Sequence, residues 1–240
     1  TTNGMTQLEL DKFLKEHKMS AMETCKSLVE KGKVQEAVEL AALWKELLPE
    51  DESIDGYFCQ MKLEGLNRPE EIREFLKYIK EKLLQGKSEK TGKLKIENMV
   101  YLDICAYGAE KLGFSRKLAK LGTELLYTED MQKLEELLSQ ALEQERKEEC
   151  KPAASLIAGD ILYKQGKTRE AFSYYRKALK KDAPEYVRIE GADRVLKDLK
   201  DGSSYIRSFG RKQDLTEFLD AWLGKYESLE EITELLKAIV

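Results

Sequence analysis

The chain has 240 residues, and its 41 Lys and Arg against 45 Asp and Glu give a formal net charge of -4 at pH 7. The hydrophobic fraction of 42% excludes a disordered chain. The charges are interspersed, which argues against a dedicated nucleic-acid-binding protein, although a local basic face can lie within a balanced total. No apolar run approaches the roughly 18 residues that span a bilayer. Residues 1–13 hold no apolar signal segment. We therefore expect a cytoplasmic protein without membrane association.

Apolar residues recur at three- and four-residue spacing along almost the whole chain, which predicts helices throughout and no strand. In 69–85, a first-turn Pro69 precedes the apolar face, and Gly86 follows it where a left-handed cap belongs. The predicted helices span 6–17, 20–31, 34–48, 53–65, 69–85, 95–112, 115–127, 129–149, 153–165, 168–181, 185–200, 213–225 and 228–239.

Most connections between these helices have only two to five residues, so consecutive helices are expected to lie antiparallel as hairpins. We predict one helical repeat domain over 1–240. The polar, glycine-containing connection at 86–93 is the predicted hinge. Residues 203–240 are expected to form a C-terminal capping region, and the apolar tip of the last helix offers an alternative contact for self-association.

The clearest internal unit is 152–185, with the sequence PAASLIAGDILYKQGKTREAFSYYRKALKKDAPE. It resembles a tetratricopeptide repeat (TPR), a pair of antiparallel helices of about 34 residues with small side chains at fixed places. Gly159 and Ala171 occupy the positions where the two helices cross, and Gly166 ends the first helix at the turn. Tyr175 follows on the second helix at the family's spacing. The predicted close contact therefore joins Gly159 to the second helix.

A second unit, 18–51, matches the same pattern more loosely. Gly32 and Ala37 repeat the spacing of the turn glycine and the small residue in the later unit. Cys25 stands at the crossing position that glycine usually holds, and Trp44 replaces a later small residue. The resemblance implies an all-α fold, a right-handed superhelix of antiparallel helix pairs with about 12–13 helices. In the middle of the chain, helical hairpins are predicted from the periodicity alone.

The resemblance also implies a function. Proteins of this family bind a helix or peptide of a partner protein on a concave face lined by the first helices. We therefore expect a protein–protein interaction scaffold or adaptor and not an enzyme. The family's register places on that face Met22, Lys26, Val29, Leu156, Asp160, Tyr163 and Lys164. Asp160 stands where the family's clamp for acidic chaperone tails has a neutral or basic group, so no such clamp is expected.

Motifs for chemistry are sparse. His17 is the single histidine, which excludes a histidine-based triad within one chain, and its polar neighbours predict that it faces solvent. Cys25, Cys59, Cys105 and Cys150 are far apart and form no CxxC motif, so each is interpreted as a small buried side chain with a reduced thiol. The chain also lacks a phosphate-binding glycine loop. We expect no cofactor and no metal.

Two alternative functions stay open. Helical repeats can bind RNA, and 203–213 (SSYIRSFGRKQ) interleaves aromatic with basic residues, a combination that can hold a single strand. Steep salt dependence of binding would favour this alternative. The other is an all-helical enzyme, which needs carboxylates that converge in an enclosed pocket.

Overall fold

The computed structural model describes residues 4–85, 99–147, 151–180 and 182–197. Across these ranges the chain is all-α, with ten helices and no strand, as the periodicity predicts. The helices are α1 (Gln7–Glu30), α2 (Val34–Leu47), α3 (Glu52–Gly65), α4 (Pro69–Gln85), α5 (Met99–Leu112), α6 (Arg116–Leu125), α7 (Met131–Glu145), α8 (Lys151–Lys164), α9 (Thr168–Ala178) and α10 (Glu185–Lys197). The predicted hinge, the helices at 213–225 and 228–239 and the capping region lie outside the described residues.

The first helix corrects one prediction. Helix α1 runs without interruption through the break predicted between 6–17 and 20–31. It begins with a capping box, in which Thr6 accepts from the Glu9 N–H at 3.2 Å and the Glu9 carboxylate accepts from the Thr6 N–H at 3.1 Å. The predicted break was wrong because Lys18 and Met19 suit a helix, and neither glycine nor proline interrupts it there.

The two glycine turns of the repeat-like units share one geometry. Gly32 has φ +76 and Gly166 has φ +81, both in the left-handed region that glycine adopts without strain. In each turn the residue after the glycine donates its N–H to the carbonyl five residues earlier, at 2.8 Å in the first unit and 3.0 Å in the second. Both turns therefore close as Schellman motifs, and the predicted helix ends at these glycines are confirmed.

The chain divides into two compact units, Thr1–Leu112 and Gly113–Val240. The boundary between them falls in the short connection between α5 and α6. In the first unit α1, α2 and α3 pack against one another, and α5 packs against α3 and α4. Its core includes two clusters, whose buried members are Cys25, Ala37, Ala41 and Met61 in one and Leu14, Leu48 and Ile54 in the other.

Helix α8 is the centre of the second unit. It packs against α6, α7, α9 and α10, and all of its residues from Ala153 to Gly159 are buried. Small and apolar side chains surround the axis of this segment, which is the pattern of a helix enclosed along most of its length, and exposed side chains occur only near its ends, at Lys151 and Tyr163.

The crossing contacts predicted from the two repeat-like units are present. A Cβ atom added to Gly159 would lie 2.6 Å from Cε1 of Tyr175 and 3.2 Å from the carbonyl oxygen of Ala171. At the corresponding place in the first unit, the Cys25 thiol lies 3.7 Å from the carbonyl oxygen of Ala37. Helices approach this closely only where side chains are small, so the sequence identified both contacts correctly.

Candidate partner-binding surface

The three predicted contact residues of the first unit lie on α1 but differ in exposure. Lys26 is exposed, whereas Met22 and Val29 are half-buried. Met22 packs against the cluster around Leu14, and Val29 packs against the cluster that contains Cys25. The first unit therefore offers a partner the Lys26 side chain and the outer edges of two core residues.

The four predicted contact residues of the later unit differ in exposure and do not form one open face. Leu156 has an exposed fraction of 0% and lies in the core, because α8 is enclosed by its neighbours. It has no surface to offer a partner, which corrects its place on the predicted face. Tyr163 is 38% exposed and has surface available. Asp160 and Lys164 are partly buried and bond to groups within their own unit.

Asp160 connects three helices. The Tyr175 hydroxyl of α9 donates to its carboxylate at 2.8 Å, and Arg194 of α10 donates through Nε at 3.2 Å and Nη2 at 3.3 Å. Arg194 also pairs with Glu190. Burial by itself lowers the pKa of Arg194. The carboxylates of Asp160 and Glu190 outweigh this effect, so the pKa is raised overall and the guanidinium stays charged. Asp160 therefore serves the packing of α8, α9 and α10.

Two lysines, each near the end of its own helix, donate to the free carbonyls at the end of a neighbouring helix. Lys164 donates to the carbonyl of Leu125, at the end of α6, at 2.6 Å, and lies 3.4 Å from Glu129. In the first unit, Lys111 of α5 donates to three carbonyls at the end of α3, at 2.7, 2.7 and 3.3 Å. A cation suits the carbonyl end of a helix, so both lysines tie one helix to another.

We expect Lys111→Met to destabilise the first unit by roughly 1–2 kcal/mol, because the end of α3 loses a charged donor to three carbonyls that are partly removed from water. Urea unfolding followed by circular dichroism measures the change. The control is Lys77→Met, which removes an exposed lysine from α4 of the same unit. Equal midpoints for the two variants would contradict the capping role.

A buried carboxylate that sequence reasoning missed joins four helices of the first unit. Asp55 of α3 is 8% exposed. It accepts from Lys45 of α2 at 2.8 Å, from Lys82 of α4 and from the hydroxyl of Tyr101 of α5. These four residues, here called the Asp55 cluster, are separated widely in sequence and meet only after folding. Each polar group in it has a partner, as buried polar groups require.

The electrostatics of the Asp55 cluster favour the charged carboxylate. Burial raises the pKa of Asp55, but hydrogen bonds from Lys45, Lys82 and Tyr101 outweigh it and hold the pKa at about 2, against an ordinary 3.8. Burial raises the pKa of Tyr101, and its hydrogen bond to Asp55 raises it further. The tyrosine therefore remains a hydroxyl donor and the aspartate remains an acceptor.

These values predict acid sensitivity of the first unit. Because the pKa of Asp55 is lower in the folded than in the unfolded chain, its stabilisation is complete above about pH 4 and is lost as the pH falls towards 2. The loss should amount to roughly 2 kcal/mol. Unfolding in urea between pH 5 and pH 2 should show a shallower decline for Asp55→Asn than for the unchanged protein. A residual decline is expected from Asp51, where burial raises the pKa but hydrogen bonds lower it to about 2. Identical declines would contradict this account.

The thiols and the histidine behave as predicted where they are described. Cys25, Cys59 and Cys105 are buried with free thiols, and burial raises the pKa of each, to about 11 for Cys59 and Cys105. Neutral thiols are poor nucleophiles and poor metal ligands. His17 is exposed and stacks on Phe13, with ring centroids 4.1 Å apart. Cys150 and the 203–213 segment lie outside the described residues, and within those residues no group of His, Cys, Asp and Glu is arranged to hold a metal.

Two cavities differ in kind. The first is an apolar void of about 10 Å³ among α1, α2 and α3, lined in part by Met22 and Trp44. It is at the lower limit for one water molecule and offers that water no polar partner. The second, here called the α6–α7 groove, is open and has a volume of about 580 Å³. Its lining consists of Arg116, Lys117, Lys120, Leu121, Glu124 and Gln140.

The three cations of the α6–α7 groove are exposed. Among the described residues, none of Arg116, Lys117 and Lys120 has a hydrogen bond or ion pair. They lie in the first turns of α6. The N-cap of this helix is Ser115, whose side chain accepts from the Leu118 N–H at 3.3 Å. Sequence reasoning missed this site, although the run of basic residues directly after a capping serine was the available signal.

No family model, curated protein or solved structure matches this chain. The resemblance to tetratricopeptide repeats therefore depends on the residues of the two units described above. None of the helices in the described ranges is both long enough and apolar enough to cross a lipid bilayer.

Proposed function

We propose that this chain is a protein–protein interaction scaffold, built as a right-handed superhelix of TPR-like hairpins, that binds a helix or peptide of another protein. Two features support the fold part of the proposal. The turns at Gly32 and Gly166 close with the same hydrogen bond. The crossing positions at Cys25 and Gly159 both bring the first helix of a pair against the backbone of the second.

One contrast carries the functional part of the proposal. The carboxylates of the buried Asp55 and the partly buried Asp160 accept from donors on neighbouring helices, so their charges are used within the fold. The cations of the α6–α7 groove have no such use and face solvent in an open depression. Polar groups that are costly to bury are thus kept internal and satisfied, while unpaired charge is left where a partner can reach it.

Site-specific photo-crosslinking in a cell extract tests the proposal. A photoreactive residue is placed at one of three exposed positions, Lys26, Tyr163 or Gln140, with Arg169 on the second helix α9 as the control position. We expect peptides of a recurrent partner protein at one or more of the three positions and not at Arg169. Recovery of no partner peptide at any of them would overturn the proposed function.

A further inference from the structure

We propose that the α6–α7 groove binds an acidic helical segment of the partner protein, with carboxylates spaced by about one helical turn. This inference rests on the interaction function proposed above and names the chemistry of the bound segment. Its basis is the group of three cations on one wall of an open groove.

The cations are arranged in a way that suits a helical segment. Lys117 and Lys120 are three residues apart on α6, so their side chains lie on one face of that helix about a turn apart. Carboxylates three or four residues apart on a partner helix have a matching spacing. Arg116 adds a planar guanidinium that can hold a carboxylate with two hydrogen bonds. The exposed Gln140 supplies an amide contact within the same groove.

The surroundings of the groove favour a discrete peptide over a nucleic acid. Glu124 lines the groove beside the three cations. On α7, Glu136 and Glu143 are exposed and flank Gln140 on one helix face by their spacing, with the exposed Lys133 one turn before Glu136. These carboxylates interrupt the series of neutralising cations on which binding of a continuous phosphate backbone depends. A short acidic segment can lie along the α6 wall and meet α7 at Gln140, since Glu136 and Glu143 do not line the groove.

Fluorescence anisotropy with purified full-length protein tests the inference. The probe is a fluorescein-labelled helical peptide of Glu, Ala and Lys with its glutamates on one face. A second peptide has the same composition but its glutamates are dispersed around the helix. The groove variant carries Lys117→Glu and Lys120→Glu. Its matched control carries Lys12→Glu and Lys15→Glu, a pair of exposed lysines with the same spacing on α1. Acidic residues near the start of α6 suit the helix dipole, so the groove variant should fold.

We expect the probe to bind the unchanged protein and the control variant equally well. Its affinity should fall about tenfold or more in the groove variant, and the dispersed peptide should bind more weakly. An equal loss of affinity in the groove variant and the control variant, or equal binding of the two peptides, would overturn the inference. Either result would show general electrostatic attraction and no specific site in the groove. Tighter binding of a labelled poly(U) strand than of the probe, lost in the groove variant, would overturn it in favour of a nucleic acid.

The photo-crosslinking experiment separates failure of this inference from failure of the proposed function. No probe binding, together with partner crosslinks at Lys26 or Tyr163 and none at Gln140, would overturn the groove assignment and leave the interaction function standing. No crosslinked partner at any position would remove both.

Discussion

The variant Asp55→Ala is expected to destabilise the first unit by roughly 2–3 kcal/mol. Removing one member of a buried ion pair typically costs about 3–5 kcal/mol, because it leaves the partner charge uncompensated. The cost here should lie at or below the lower end of that range, because the side chains of Lys45 and Lys82 are 36% and 31% exposed and can be rehydrated. The Tyr101 hydroxyl cannot be rehydrated in this way, because Tyr101 is only 3% exposed.

Fluorescence of Trp44 is the suitable measure of this effect. A Trp222→Phe background leaves Trp44 of α2 as the single tryptophan, and its signal in urea then reports the first unit. Tyr101→Phe in the same background should cost about 1 kcal/mol, since it removes one hydrogen bond and leaves the lysine partners in place.

The matched control for Asp55→Ala is Asp103→Ala, which removes an exposed aspartate from α5. The control should unfold near the midpoint of its parent. If Asp55→Ala and Asp103→Ala share one midpoint, the Asp55 cluster does not stabilise the unit as proposed.

The variant Gly159→Ala is expected to destabilise the second unit by roughly 1–3 kcal/mol. Alanine normally stabilises a helix interior by about 1 kcal/mol relative to glycine, so the expected sign is opposite to the intrinsic preference. The added Cβ would meet the Tyr175 ring at 2.6 Å and the Ala171 carbonyl oxygen at 3.2 Å. The ring cannot move aside freely, because its hydroxyl donates to Asp160. Leucine at position 159 should cost more.

Gly122→Ala provides the control for this prediction within the same unit. Its added Cβ would meet only the terminal methyl of Ile157, at 3.3 Å, and a flexible chain end can shift by the small amount required. We expect Gly122→Ala to be close to neutral in thermal unfolding followed by circular dichroism. A melting temperature for Gly159→Ala at or above that of the unchanged protein would contradict the close helix crossing.

The sequence predicted contacts well where they depend on local spacing. Gly159 of α8 and Ala171 of α9 belong to one helical hairpin, and the small size of their side chains identifies them as the point where the two helices cross. The same reasoning failed for the surface in that unit. A family register places Leu156, Asp160 and Lys164 on one open face, but α8 is surrounded by four helices, which bury Leu156 and supply partners for the other two.

What the sequence determined by itself is local: the all-α class, the glycine turns and the small residues at the crossings. Each depends on residues within about one turn or one hairpin of each other, so periodicity and residue size reveal them. Only the tertiary structure decided the division into two units, the Asp55 cluster and the α6–α7 groove. Lys45, Asp55, Lys82 and Tyr101 come from four helices, and spacing along the chain does not indicate which polar groups meet. Likewise, the sequence shows basic residues in α6, but packing decides that they remain unpaired among the described residues and line a groove.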